Sequence, residues 1–212
     1  MLDLQERAMT RISPFNNTMM IVGALALGAC SQGSAPVDNV AATNDVASDN
    51  NAAGTPMAGV PQSFNFNGGD GALLGTVTVS EDPSGLMMNV SAVGMPAGVH
   101  GIHLHEKGLC EGPKFESAGA HWNPGMKQHG RDNPAGPHAG DLANLTVAAD
   151  GTAKSSIPVG GVMLASGAMM VADADGTALV VHADPDDYKT DPSGNSGDRI
   201  ACAVITATPP VG

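Results

Sequence analysis

The sequence predicts an all-β domain, an eight-stranded Greek-key barrel or sandwich with long loops, and three observations lead there. From Ser63 onward, short apolar stretches are punctuated by Gly, Asp, Asn and Pro. No segment sustains the 3.6-residue periodicity of an amphipathic helix, and turn signatures recur between the apolar runs. Leu73 to Val79, the turn Asp82-Pro83-Ser84-Gly85 and Leu86 to Val93 read as strand, turn, strand. Leu145 to Ala148 and Ala153 to Val159 flank Ala149-Asp150-Gly151 as a second hairpin, and Met169 to Ala172 and Thr177 to Ala183 flank Asp173-Ala174-Asp175-Gly176 as a third. Ile200 to Ala207 makes a final strand, for seven or eight in all. Glu106 to Ala143 carries little strand signal, and a connection of that length in a compact domain is usually functional or disordered.

The 212 residues exceed what such a domain needs, and the excess lies at the front. Met1 to Cys30 reads as an export signal: Arg7 and Arg11, then the apolar run Met19 to Leu27, too short to span a bilayer permanently, then small residues. Leu27-Gly28-Ala29-Cys30 resembles the lipobox of bacterial lipoproteins, which implies cleavage before Cys30 and lipidation of Cys30; an ordinary cleaved signal with an incidental cysteine is the competing reading. Residues 31–62 hold Ala, Asn, Asp, Ser, Gly and Pro with no Lys, Arg or aromatic residue, a composition that cannot offset the entropy of ordering, so the segment is expected to be a disordered tether for the domain at 63–212. Periplasm or cell envelope, with a lipid at Cys30 as the sole membrane attachment, is the expected location. A net charge of -12 with no basic stripe excludes nucleic acid as a partner. Of three cysteines, Cys30 is accounted for, and export makes a disulfide the default for Cys110 and Cys202.

All seven histidines fall between His100 and His182. On a strand, His103 and His105 point to one face, where two imidazoles can share a metal ion, whereas His100 has the opposite parity and is read as structural. The long loop adds His121, His129, His138 and Asp141, a three-histidine, one-carboxylate set suited to tetrahedral zinc. His182 follows the strand Ala178-Leu179-Val180-Val181 and places one more imidazole at a strand end.

Five motifs in order, Gly101-Ile102-His103-Leu104-His105-Glu106-Lys107-Gly108, Ser117-Ala118-Gly119-Ala120-His121-Trp122-Asn123-Pro124, His138-Ala139-Gly140-Asp141-Leu142, Val180-Val181-His182 and Gly197-Asp198-Arg199-Ile200-Ala201-Cys202, resemble the copper,zinc superoxide dismutases, in the form of their bacterial periplasmic branch. The resemblance covers Ser63 to Thr206. It implies copper held by His103, His105, His121 and His182, and zinc by His121, His129, His138 and Asp141, with His121 shared. Imidazole suits copper, and a set with one carboxylate suits zinc. The resemblance further implies that Asp186 hydrogen-bonds metal ligands from behind, although Asp184 and Asp187 are adjacent rivals, and that Arg199 holds the superoxide anion beside copper while His121 carries a proton. It leaves monomer and homodimer both open. Asp198 stands directly before Arg199, and Ala183 to Arg199 contains five Asp against one Lys and one Arg, an unhelpful field for an anionic substrate; Lys107, Lys114, Lys127 and Lys189 are the candidates for guiding it in. A non-enzymatic metal buffer would need the ligands but not Arg199.

Overall fold

Turn chemistry and strand alternation account for most of the architecture. The structure is a computed structural model that describes residues 60–206. The expected signal with Cys30, the tether up to Gly59 and the last six residues lie outside the described residues. Nine strands are present in the described part: β1 (Gln62–Gly68), β2 (Leu73–Asp82), β3 (Gly85–Ala92), β4 (Gly98–His100), β5 (Ile102–His105), β6 (Leu145–Val147), β7 (Ala153–Gly160), β8 (Thr177–His182) and β9 (Arg199–Thr206). β4 and β5 are halves of one run interrupted at Gly101, so the nine segments make eight strands, the number expected, although β1 was not among the runs read as strands and Met169 to Ala172, which was, forms none. β1 begins at Gln62, one residue inside the segment expected to be tether.

β2 and β3 form the hairpin expected, paired from Gly75↔Ala92 to Asp82↔Gly85. At their turn Asp82 Oδ1 accepts the Ser84 N–H at 2.7 Å, and Gly85 takes φ 139°, where a Cβ would strike the Val159 carbonyl across the sheet. The second expected hairpin is corrected. Its turn closes, with Ala148 N–H on Thr152 O at 2.8 Å, but the strands part: β6 pairs with β4 and β7 with β3. The third is absent as a hairpin. Met169 to Ala172 folds back on Met163 and Leu164, while β8 pairs with β5 and β9. The physical reason is burial: every residue of β8 is buried, so both edges need strand partners.

The main sheet has the order β5-β8-β9-β1-β2-β3-β7, and a two-stranded sheet pairs β4 with β6. The chain neighbours β1, β2 and β3 lie side by side, whereas β3 beside β7 and β5 beside β8 require crossings of Greek-key type. Inward positions fill one core, with Phe66, Val77, Met88, Ile102, Leu104, Leu145, Ile157, Leu179, Val181 and Ile205 all buried. On the opposite face of β8 and β9, Ala178, Val180 and Cys202 are buried against Phe115 and Ala118, so the loop after β5 covers a second apolar cluster.

A disulfide between Cys110 and Cys202 ties that loop to β9 across 92 residues. In the chain-entropy view, closing a span of that length stabilises by about 4 to 5 kcal/mol. The paired replacement Cys110→Ala and Cys202→Ala is therefore expected to lower the unfolding free energy of the metal-free protein by about 4 kcal/mol in urea titrations. A change below about 1 kcal/mol would show that packing of Phe115 and Ala118 alone holds the loop.

Candidate metal centre

Strand parity builds the floor of the site. Along β5, Ile102 and Leu104 enter the core, which turns His103 and His105 to the other face beneath the loop. His182 ends β8 beside Arg199 of β9, where the register shifts between Val181 and His182. The loop then uses the free edge of β5: Trp122 N–H donates to Leu104 O at 2.8 Å, Leu104 N–H to Gly140 O at 2.9 Å, and Glu106 N–H to Ala120 O at 3.0 Å. This edge pairing brings His121 opposite His105 and Asp141 opposite His103.

Two groups of potential ligands result, His103, His105, His121 and His182 in one and His121, His129, His138 and Asp141 in the other, the ligand atoms of each lying within 4.8 Å of one another. His121 belongs to both, and its ring centroid stands 4.0 Å from that of His103. The donor chemistry fits two cations. His103 Nδ1, His105 Nε2, His121 Nε2 and His182 Nε2 are buried without a hydrogen-bond partner, an arrangement that costs free energy unless a cation takes the lone pairs. In the second group, the Nδ1 atoms of His121, His129 and His138 converge on Asp141 Oδ1 at 3.0, 3.0 and 3.2 Å. That constellation matches a three-imidazole, one-carboxylate zinc site.

Outer partners aim the rings. Asp186 is buried, its Oδ2 lying 2.9 Å from His103 Nε2 and its Oδ1 2.9 Å from His129 Nε2, so one carboxylate spans the two groups. Its rivals Asp184 and Asp187 are exposed, the latter accepting from Lys189 N, Thr190 N and Asn195 Nδ2 in a turn. His105 Nδ1 faces Gly119 O at 3.0 Å, and His182 Nδ1 faces Gly197 O at 3.2 Å. Gly119 O also accepts from Arg199 Nη2 at 2.6 Å, and Phe115 O accepts from Nη1 at 2.6 Å; the guanidinium is thus fixed beside His105 by two carbonyls of the disulfide-tied loop. His100 belongs to neither group. Its Nδ1 faces His182 O and its Nε2 faces Pro96 O, both at 2.9 Å, pinning the end of β8 to the turn before β4.

Sequence reasoning missed Asn144, which accepts the Asp186 N–H on Oδ1 and donates from Nδ2 to Asp186 O, each at 3.0 Å, and so fixes the backbone that carries the carboxylate. Tyr188 was also missed: its hydroxyl accepts the Asn144 N–H at 2.8 Å, and Arg131 lies over its ring at 3.7 Å. An amide side chain at the mouth of β6 was the available signal for Asn144; none existed for Tyr188. Gly130, with φ 101°, lets the loop pass the Tyr188 carbonyl, where a Cβ would clash.

The family model described as copper/zinc superoxide dismutase (SODC) matches residues 73–205. This chain belongs to that family. A superoxide dismutase [Cu-Zn] of Caulobacter vibrioides is 46% identical over 140 residues, covering 65% of this chain and 80% of its own. Superoxide dismutase [Cu-Zn] 2 of Aquifex aeolicus is 42% identical over 138 residues, covering 64% of this chain and 81% of its own. The crystal structure of a SOD-like protein from Bacillus subtilis superposes with a TM-score of 0.66 at 40% identity, over 68% of this chain and 98% of that one. Membership of the copper/zinc superoxide dismutases agrees with the two ligand groups and with copper and zinc as cofactors.

Electrostatics separates the two halves. Burial and the neighbouring His103 push His182 down to about 3. Burial likewise holds His121 at about 4 against the raising effect of Asp141, and lowers His105 well below its ordinary value. These rings are neutral near pH 7 and ready as ligands. His129 is buried too, but its hydrogen bonds to Asp141 and Asp186 outweigh that cost and push it up to about 9. Both carboxyls are held far below the usual carboxylate range by those bonds, although burial opposes it.

The metal-free protein should therefore be most stable near the ordinary histidine value of about 6.5. His129 contributes stability that is full below 6.5 and lost as pH rises through about 9, because the folded state keeps a proton that the unfolded chain releases. His121 and His182, depressed to about 4 and 3, remove stability as pH falls below 6.5, because only the unfolded chain takes up those protons. Thermal melts of the metal-free protein should show both limbs, and His129→Gln should flatten the alkaline one. An alkaline limb unaltered by that replacement would contradict the His129 assignment.

Proposed function

We propose that this chain is an enzyme that dismutates superoxide: two superoxide anions and two protons yield dioxygen and hydrogen peroxide. One observation carries the reading, namely four buried imidazole nitrogens without partners, aimed at one point and joined through His121 to a three-histidine, one-aspartate group. Copper in the first group supplies one-electron redox chemistry, and zinc in the second supplies fixed charge without redox change.

The chain's own residues do the rest. His103, His105, His121 and His182 hold copper, and His121, His129, His138 and Asp141 hold zinc. Arg199 binds the substrate anion, because two of its five N–H groups are committed to Phe115 O and Gly119 O and the remaining donors keep a full positive charge beside His105. His121 carries a proton toward the product at Nε2, the nitrogen without a partner, while Nδ1 stays against Asp141. Asp186 keeps His103 and His129 in register throughout. The apolar run Met19 to Leu27 and the lipobox-like Leu27-Gly28-Ala29-Cys30 support export, lipidation of Cys30 and a protective role in the cell envelope; a lipid-modified peptide at Cys30 in mass spectra of the membrane fraction is the check. Sedimentation separates the monomer from the homodimer.

Superoxide decay measured on copper- and zinc-loaded protein, with metal content determined on the same sample, tests the function. Arg199→Ala is expected to retain both metals and lose on the order of 100-fold in second-order rate. One copper and one zinc per chain without superoxide decay would instead favour a metal buffer. Asp198 is exposed directly before Arg199, so Asp198→Ala should raise the rate at low ionic strength, and the gain should vanish as salt screens the field. Equal rates for the two proteins at every salt concentration would remove Asp198 from the approach of the anion.

A further inference from the structure

Each histidine of the two groups other than the shared His121 turns one ring nitrogen inward and the other outward. Four of these five outer nitrogens meet an acceptor within hydrogen-bond distance: His103 and His129 on Asp186 at 2.9 Å, His105 on Gly119 O at 3.0 Å and His182 on Gly197 O at 3.2 Å. The fifth, His138 Nε2, faces Asp191 Oδ1 at 3.9 Å. The same oxygen accepts the His129 backbone N–H at 2.6 Å. Asp191 thus touches one residue of the zinc group through its backbone and points at the ring of another.

We infer that Asp191 is a second positioning carboxylate of the zinc half, holding the His129 backbone and accepting His138 Nε2–H when His138 Nδ1 is bound to zinc. The inference rests on the ligand assignment above. The remaining gap is the size that one bridging water or a modest turn of the carboxylate closes, and the Asp191 side chain is 49% exposed, so it has room to turn. Fixing Nε2–H on an anion selects the tautomer that leaves Nδ1 free for metal and makes that nitrogen a better donor. The carboxylate also places a negative charge at the solvent edge of the group. Asp186 performs the corresponding task from the buried side, and the two carboxylates together hold His129 by ring and by backbone.

The test uses the full chain loaded with zinc alone and titrated with a chromophoric chelator, together with the exchange-protected ring N–H proton resonances in the NMR spectrum. Asp191→Ala should weaken zinc binding by about 10-fold and abolish the His138 ring N–H resonance while leaving that of His129. Asp191→Asn, which keeps an oxygen for the His129 N–H and for His138, should weaken zinc less and preserve the resonance. Zinc affinity within twofold of the unmodified protein in Asp191→Ala would overturn the inference, as would a His138 resonance unaffected by that replacement. His138→Ala separates this outcome from failure of the ligand assignment: if that variant binds zinc as tightly as the unmodified chain, the assignment itself is wrong.

Discussion

Everything at this site follows from the cost of burying imidazole and carboxylate groups without partners. Six histidines and Asp186 lie out of water under one loop, with Asp141 nearly so. Such a cluster is tolerable when each polar atom has a hydrogen bond, an ion pair or a cation. Gly119 O of the loop after β5, together with Asp186 and Gly197 O of the segment between β8 and β9, faces the outer nitrogens and leaves a set of unpartnered ring nitrogens facing inward. Metal binding completes the accounting, and the apolar clusters on either face of β8 keep the framework rigid while it does so.

The two halves of the site solve the problem differently. In the four-histidine group, burial wins and the rings stay neutral. In the group around Asp141, two carboxylates win and His129 is cationic without metal. A proton at His129 therefore occupies, in the metal-free state, a position that a bound cation would claim with the loss of that proton. Metal exchange at the two halves should accordingly respond to pH in different ranges, although they share a residue.

The proposed attraction of substrate is local rather than global. The chain is acidic, and Ala183 to Arg199 carries five Asp against Lys189 and Arg199, so the proposed anion site relies on the guanidinium that Arg199 holds beside His105. Its hold on Phe115 O and Gly119 O makes that charge depend on the loop, and the loop depends on the Cys110–Cys202 bond. Stability and the proposed anion site are linked through this one strap.

By itself the sequence determined the fold class, the β2–β3 hairpin and which residue types could hold metals. Those features are written locally, in alternation along β5, in Asp82-Pro83-Ser84-Gly85 and in the histidine spacing. Cysteine counting reached the Cys110–Cys202 bond because only two candidates remained. Tertiary structure decided what local pattern does not carry. It sent β6 and β7 to different partners although a tight turn joins them, because pairing follows which edges remain open in the assembled sheet. It chose Asp186 over Asp184 and Asp187, three carboxylates alike in sequence, by burying one between two rings and leaving the others in water. It recruited Asn144 and Tyr188, whose contacts span about forty residues of chain and exist only once the two loops are folded against each other.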